Sequence, residues 1–206
     1  MENIDVKELA YSNFETFKKV IDSLPDEKVS DLEVTNWTIR DGEKIEWSTP
    51  ILHWLANFSY SDYDTATPPM SSNKKIEYLL QRGYDVDKPD NHGLTALAYA
   101  RHSGNLTTMI LLLQHKANPL NKYPQKGREN QTIYDSLFDK KGNYADFAYQ
   151  KHDPVRSEVG SPEYKESTRK LEEHLQTIRA LCKPEFEGKR IFPQIDTNVN
   201  LGKGGR

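Results

Sequence analysis

Apolar residues along "GLTALAYARHSGNLTTMILLLQHKANP", residues 93–119, fall at spacings of three and four, the period of a helix that buries one face. The pattern predicts two short antiparallel helices. Thr95 is placed to cap the first by accepting an N–H from Leu97 or Ala98, leaving Leu97 and Ala100 on one face. "SGN" at 103–105 ends that helix, since Gly104 takes the left-handed backbone of a tight turn. The second helix presents Leu106, Met109, Ile110 and Leu113 together. Pro119 stops it, having no backbone donor and restraining Asn118. Helices this short are marginal alone and require neighbours.

Copies of the same pattern supply them. "IEYLLQRGYDVDKPDNHG" (76–93) matches "MILLLQHKANPLNK" (109–122) around Leu79-Leu80-Gln81 and Leu112-Leu113-Gln114. "TPILHWLA" (49–56) is the counterpart of "TALAYA" (95–100), and a partial copy, "QTIYDSLF", begins at 131. At the amino end "NFETFKKVI" (13–21) overlays "NLTTMILLL" (105–113), so that Phe14, Phe17, Val20 and Ile21 take the apolar places. Lys116 stands where the other copy has Gly83, a left-handed position that costs a non-glycine residue about 1 kcal/mol. Leu52, Leu79, Leu80, Leu97, Ala100, Met109, Leu112 and Leu113 form the expected core.

Between the copies lie segments with other patterns. "NWTIRDGEKIEWS" (36–48) places Asp41-Gly42 between strand-forming runs, a two-residue hairpin signal, with Trp37 and Trp47 expected as a cross-strand pair packed on the domain. The competing reading makes them exposed binding anchors. "NFSYSDYDTATPPMSSN" (57–73) is a tyrosine-rich polar loop, a composition that suits recognition as well as packing. "DKKGNYADFAYQKHDPVRSEVGSP" (139–162) is a second long insertion, followed by an amphipathic helix that carries Leu171, Leu175, Ile178 and Leu181 on one side.

"TPILH", "RGYDVDKPDNHGLTALAYARHSGN" and "KANP" resemble the ankyrin repeat, a helix–turn–helix with a projecting finger and a period of about 33 residues. The match centres on 49–121, and the copies are degenerate: Ala98 replaces the family's histidine, and Ile51 is an extra residue before Leu52-His53. The resemblance implies an all-α solenoid of about three to four degenerate repeats with a short β-hairpin insertion and a C-terminal capping helix. One domain over 1–183 is expected: a capping repeat at 1–33, a hairpin finger at 34–48, central repeats at 49–93 and 94–130, and a divergent last repeat with its cap at 131–183. The glycine-rich, polar stretch 184–206 is expected to be a flexible tail.

Composition narrows the chemistry. With 206 residues, a net charge of −3 and a mean hydropathy of −0.82, the chain has neither a basic excess for nucleic acid nor an apolar run that could span a membrane. Its first residues lack the basic start and apolar core of a secretory signal. A single cysteine, Cys182, excludes an internal disulfide, and its neighbours Leu171, Leu175 and Ile178 predict a buried thiol. Asp85, Asp87 and Asp90 begin like a calcium loop, but loop positions six and twelve hold Asp90 and Ala96 instead of glycine and glutamate. The acids are therefore expected to shape a turn. None of the six histidines has a metal partner at helical spacing; His53 resembles the family's structural histidine and His115 suits a helix end. No cofactor, metal site or catalytic residue is expected.

The resemblance implies a non-catalytic protein–protein interaction module that binds one protein partner as a monomer, without nucleic acid or membrane. It is similar to the small ankyrin proteins of microbes: a cytoplasmic inhibitor, immunity or adaptor protein, with a host-directed effector as the competing version. An enzyme or modifier using the 139–162 insertion is the rival from another class. By position in the repeat, the contact candidates are Asn91, His92, Leu94, His102 and Ser103, then Asn57 and Phe58 in the preceding copy. Arg128, Glu129, Gln131, Asp139 and Lys140 correspond in the following copy. The expected footprint centres on fingers 88–94 and 122–131, and Tyr60, Tyr63, Trp37 and Trp47 are the second choice.

Overall fold

A computed structural model of the chain describes residues 4–40, 42–58, 72–122, 131–138 and 160–186. These residues are mostly helical, with one two-stranded antiparallel sheet. Helices α1 (Val6–Tyr11), α2 (Phe14–Asp22) and α3 (Asp26–Ser30) precede strands β1 (Glu33–Arg40) and β2 (Glu43–Pro50). Then follow α4 (Ile51–Phe58), α5 (Ser72–Gln81), α6 (Ala96–Ser103), α7 (Leu106–Gln114) and α8 (Pro162–Phe186). One row of contacts runs α1–α4–α6 and a second runs α2–α5–α7–α8, with α4 on α5 and α6 on α7 joining the rows.

The caps bear out the overlay of the amino end on the central copy. Asn13 caps α2 by accepting from Thr16 N at 2.9 Å, and Asn105 caps α7 by accepting from Thr108 N at 3.1 Å. Gly104 closes α6 at φ 76° and Lys116 takes φ 71°, the left-handed places read from the sequence. Thr95 stands at the N-cap of α6, but its buried hydroxyl makes no cap bond. Its carbonyl instead accepts from Ala98 N at 2.9 Å. The side chain is held in the interior, away from the helix end it was expected to cover.

A single hydrophobic cluster extends from Leu9 to Cys182. All eight expected core residues belong to it, seven buried and Leu80 partly so. The last helix supplies Leu171, Leu175, Ile178 and the buried thiol of Cys182, while Leu181 is half-buried at its margin. Residues 131–138, read as a partial copy, form consecutive turns with Ser136 N on Thr132 O at 3.1 Å and Phe138 N on Tyr134 O at 3.2 Å. Thr132 and Asp135 bracket the first turn reciprocally: Asp135 N donates to Thr132 Oγ1 at 3.0 Å and Thr132 N to Asp135 Oδ2 at 3.2 Å.

Charge ties the amino-terminal helices to the centre. Lys75 is fully buried on α5 and its ammonium donates to Ala10 O at 2.8 Å and to Ser12 O, beneath the Phe17 ring. Arg82, just after α5, reaches Asp22 Oδ1 at 3.0 Å, Asp26 Oδ1 at 2.7 Å and the carbonyls of Ile21 and Leu24.

Candidate functional site

The hairpin is the most exposed apolar feature among the described residues. Its register pairs Arg40 with Glu43, and hence Trp37 with Glu46 and Asn36 with Trp47. The two tryptophans therefore project from opposite faces. They do not form the expected cross-strand pair, because a two-residue turn at Asp41-Gly42 pairs positions that sum to 83, whereas 37 and 47 differ from that by one. Nor are they packed on the domain: Trp37 is 60% exposed, Ile39 67%, Ile45 41% and Trp47 41%. Among the described residues only the root of the hairpin is anchored, through buried Val34, Asn36, Thr49 and the last residue of β2.

Beside that root a pocket of about 250 Å³ is lined by Asn36, Trp47, Thr49, Trp54, Asn57 and Tyr99. Helix α4 supplies Trp54 and Asn57, and α6 supplies Tyr99. Tyr11, 47% exposed, meets the Trp54 ring edge-on at 6.3 Å, and the Lys7 ammonium lies 5.9 Å from the same ring. Lys7 Nζ also donates to Asn36 Oδ1 at 3.1 Å, which fixes the amide's orientation. Asn36 Nδ2 is then buried with no acceptor among the described residues.

The acidic finger carries this wall. Asp90 Oδ1 accepts from His92 N and Leu94 N, both at 2.8 Å, and its Oδ2 accepts from the Tyr99 hydroxyl at 2.7 Å. Asp85 Oδ1 accepts from Asp87 N at 2.9 Å. Asp87 reaches the next finger, accepting from Asn118 N at 3.0 Å and Asn121 Nδ2 at 3.1 Å. The three carboxylates thus face three separate sets of donors. Burial pushes the Tyr99 hydroxyl well above the usual phenol range and lowers the pKa of His53. His53, fully buried and neutral for that reason, donates through Nε2 to Leu94 O at 2.9 Å and meets Tyr99 edge-on. This is the structural work its position predicted, and His115 ends α7 as expected.

The residues of the α6 pair match the family model for the ankyrin repeat over 92–123. Over that stretch the chain is an ankyrin repeat. No curated protein and no solved structure matches the chain. The matched repeat holds four of the positions read as contacts, His92, Leu94, His102 and Ser103, and Asn91 directly precedes it. Asn91, His92 and His102 are exposed, while Leu94 is half-buried and bonded through both its backbone groups. Ser103 returns its hydroxyl to the carbonyls of Tyr99 and Ala100, both at 3.1 Å. Asn57 joins Trp47 in the pocket, and Gln131 is half-buried near the Lys122–Thr132 bridge. The Phe58 side chain, Tyr60, Tyr63, Arg128, Glu129, Asp139 and Lys140 lie outside the described residues, as do most of both insertions and the 187–206 stretch. Sequence reasoning missed Asn36, Thr49, Trp54, Lys7 and Tyr11. The available signal was parity: a two-residue turn puts Trp47 on the Asn36 face, directly before the α4 face that bears Trp54 and Asn57.

Proposed function

We propose that this ankyrin domain is a non-catalytic binding module that grips one protein partner through the hairpin and the aromatic pocket at its root. The observation that carries this is the set of four exposed apolar side chains, Trp37, Ile39, Ile45 and Trp47, on a hairpin whose root alone is buried. Exposed tryptophans give a large desolvation gain at few rotors, and such residues dominate interface energies. Leaving two tryptophans and two isoleucines in solvent serves no folding purpose, since the hairpin root already anchors the strands. The unbroken core from Leu9 to Cys182 supports reading 1–183 as one stack of about three to four repeats, capped by α8.

Within that reading the chain acts as a cytoplasmic inhibitor, immunity or adaptor protein. Stoichiometric capture by a rigid stack needs no reacting group. No helix among the described residues is long and apolar enough to cross a membrane. The test is capture of a stoichiometric partner by the tagged chain, with intact-mass analysis of what is retained. Trp37→Ala/Trp47→Ala should release the partner at unchanged melting temperature, with affinity reduced by more than about tenfold. Release by His92→Ala/His102→Ala alone would move the footprint to the finger tips. A partner returned with altered mass would indicate modification, and so an enzyme.

A further inference from the structure

The pocket at the hairpin root has a chemical polarity beyond its aromatic walls. Trp47, Trp54 and Tyr99 supply rings, and the Tyr99 hydroxyl is already committed to Asp90. Among the remaining lining groups the buried amide of Asn36 holds a donor that no acceptor takes up. Asn36 lies directly opposite Trp47 in the strand pairing and is buried, its oxygen held by Lys7 and its Nδ2 without an acceptor. A buried amide donor left unpaired is costly, and an incoming oxygen would satisfy it. Lys7, on the exposed side of α1, brings a positive charge to the same amide. Glu46 belongs to the opposite face of the hairpin, and the Asp90 oxygens are occupied by three donors. The local surplus therefore favours an anion over a cation, even though aromatic walls alone could suit an ammonium.

Size limits the occupant. At about 250 Å³ the cavity falls below the roughly 300–1,000 Å³ of drug-sized or cofactor sites, and so suits one side chain. We propose that the pocket receives an aromatic side chain of the partner protein with a carboxylate beside it, the ring between Trp47 and Trp54 and the carboxylate on Asn36 Nδ2 and Lys7 Nζ. The carboxylate is the partner's own C-terminus, carried by a terminal aromatic residue. This rests on the protein-binding reading and adds the partner's chemistry to it.

N-acetyl-phenylalanine and its neutral amide serve as matched probes, titrated into the isotope-labelled full chain by NMR. The carboxylate should shift the Asn36 side-chain amide and the Trp47 and Trp54 indole signals, with a dissociation constant on the order of millimolar for so small a probe. The amide should bind at least about fivefold more weakly. Lys7→Gln, an exposed change, should bring the two probes within about twofold, and added salt should do likewise. Equal binding of acid and amide, preference for phenylalanine amide as a cation, or shifts confined to Trp37 would each overturn the proposal. So would no shift at 20-fold the expected constant, roughly 20 mM. Partner capture that still depends on Trp37 and Trp47 in that case leaves the protein-binding reading standing.

Discussion

Lys75 offers a test of the interior that needs no partner. Its ammonium is fully buried, and burial pushes its pKa down from 10.5 to about 8. A base whose folded pKa is depressed is held less protonated in the folded chain than in the unfolded one between those two values. Stability must therefore rise with pH across that window, and below about pH 8, where both states carry the proton, this group contributes no slope. The full difference, at about 1.4 kcal/mol per pH unit, is roughly 3 kcal/mol, of which about 2 kcal/mol accrues between pH 7 and 9.5. Buried Tyr84, Tyr99 and Tyr134 act oppositely, since their raised pKa values remove stability once pH passes about 10, so the range is kept below that. Urea melts followed by tryptophan fluorescence at half-unit steps should show the rise in the native chain. In Lys75→Met the slope should vanish, and at pH 7 the variant should lose about 1–3 kcal/mol because the Ala10 and Ser12 carbonyls lose their donor. Parallel pH profiles for the two chains, within about 0.5 kcal/mol, would refute the idea that a buried charge sits at this point.

Leu97, 1% exposed in the centre of the core, should cost about 2–5 kcal/mol as Leu97→Ala in urea melts, and a loss below about 0.5 kcal/mol would contradict its packing. Asp90→Ala strands His92 N, Leu94 N and the Tyr99 hydroxyl, so thermal melts should show at least about 2 kcal/mol of destabilisation, partly restored in Asp90→Asn. Lys116→Gly should raise stability by about 1 kcal/mol by relieving a left-handed lysine, and a lowered melting temperature would show that other contacts of Lys116 matter more.

Much of this architecture was legible because the chain writes the same local pattern more than once. Asn13 and Asn105 cap equivalent helices, and Gly83 and Lys116 take equivalent left-handed turns. What escaped reading was set by relations between distant residues. Lys75 gave no signal, because lysine alone says nothing of the two distant carbonyls, at Ala10 and Ser12, that make its burial tolerable. The Thr132-x-x-Asp135 bracket is written in "TIYD", but only the partial copy around it was read. In the hairpin the turn was read correctly while its arithmetic was not carried out. Trp37 and Trp47 looked like partners when the register already assigned them to opposite faces. Asn36 could not be found by composition, since a buried asparagine is defined by which of its atoms finds a partner.

Repeat stacks are usually treated as sets of interchangeable tiles, to be shortened at will. The lysine and arginine of the α5 segment make this one indivisible at its amino end. Excising residues 1–33 would remove every acceptor that Lys75 and Arg82 use there: the Ala10, Ser12, Ile21 and Leu24 carbonyls and the Asp22 and Asp26 carboxylates. The remainder would expose to water the faces of α4 and α5 that α1 and α2 cover, since Phe17 and Ile21 leave the core with the excised segment. A minimal binding fragment must therefore begin at α1, however little of the partner α1 touches.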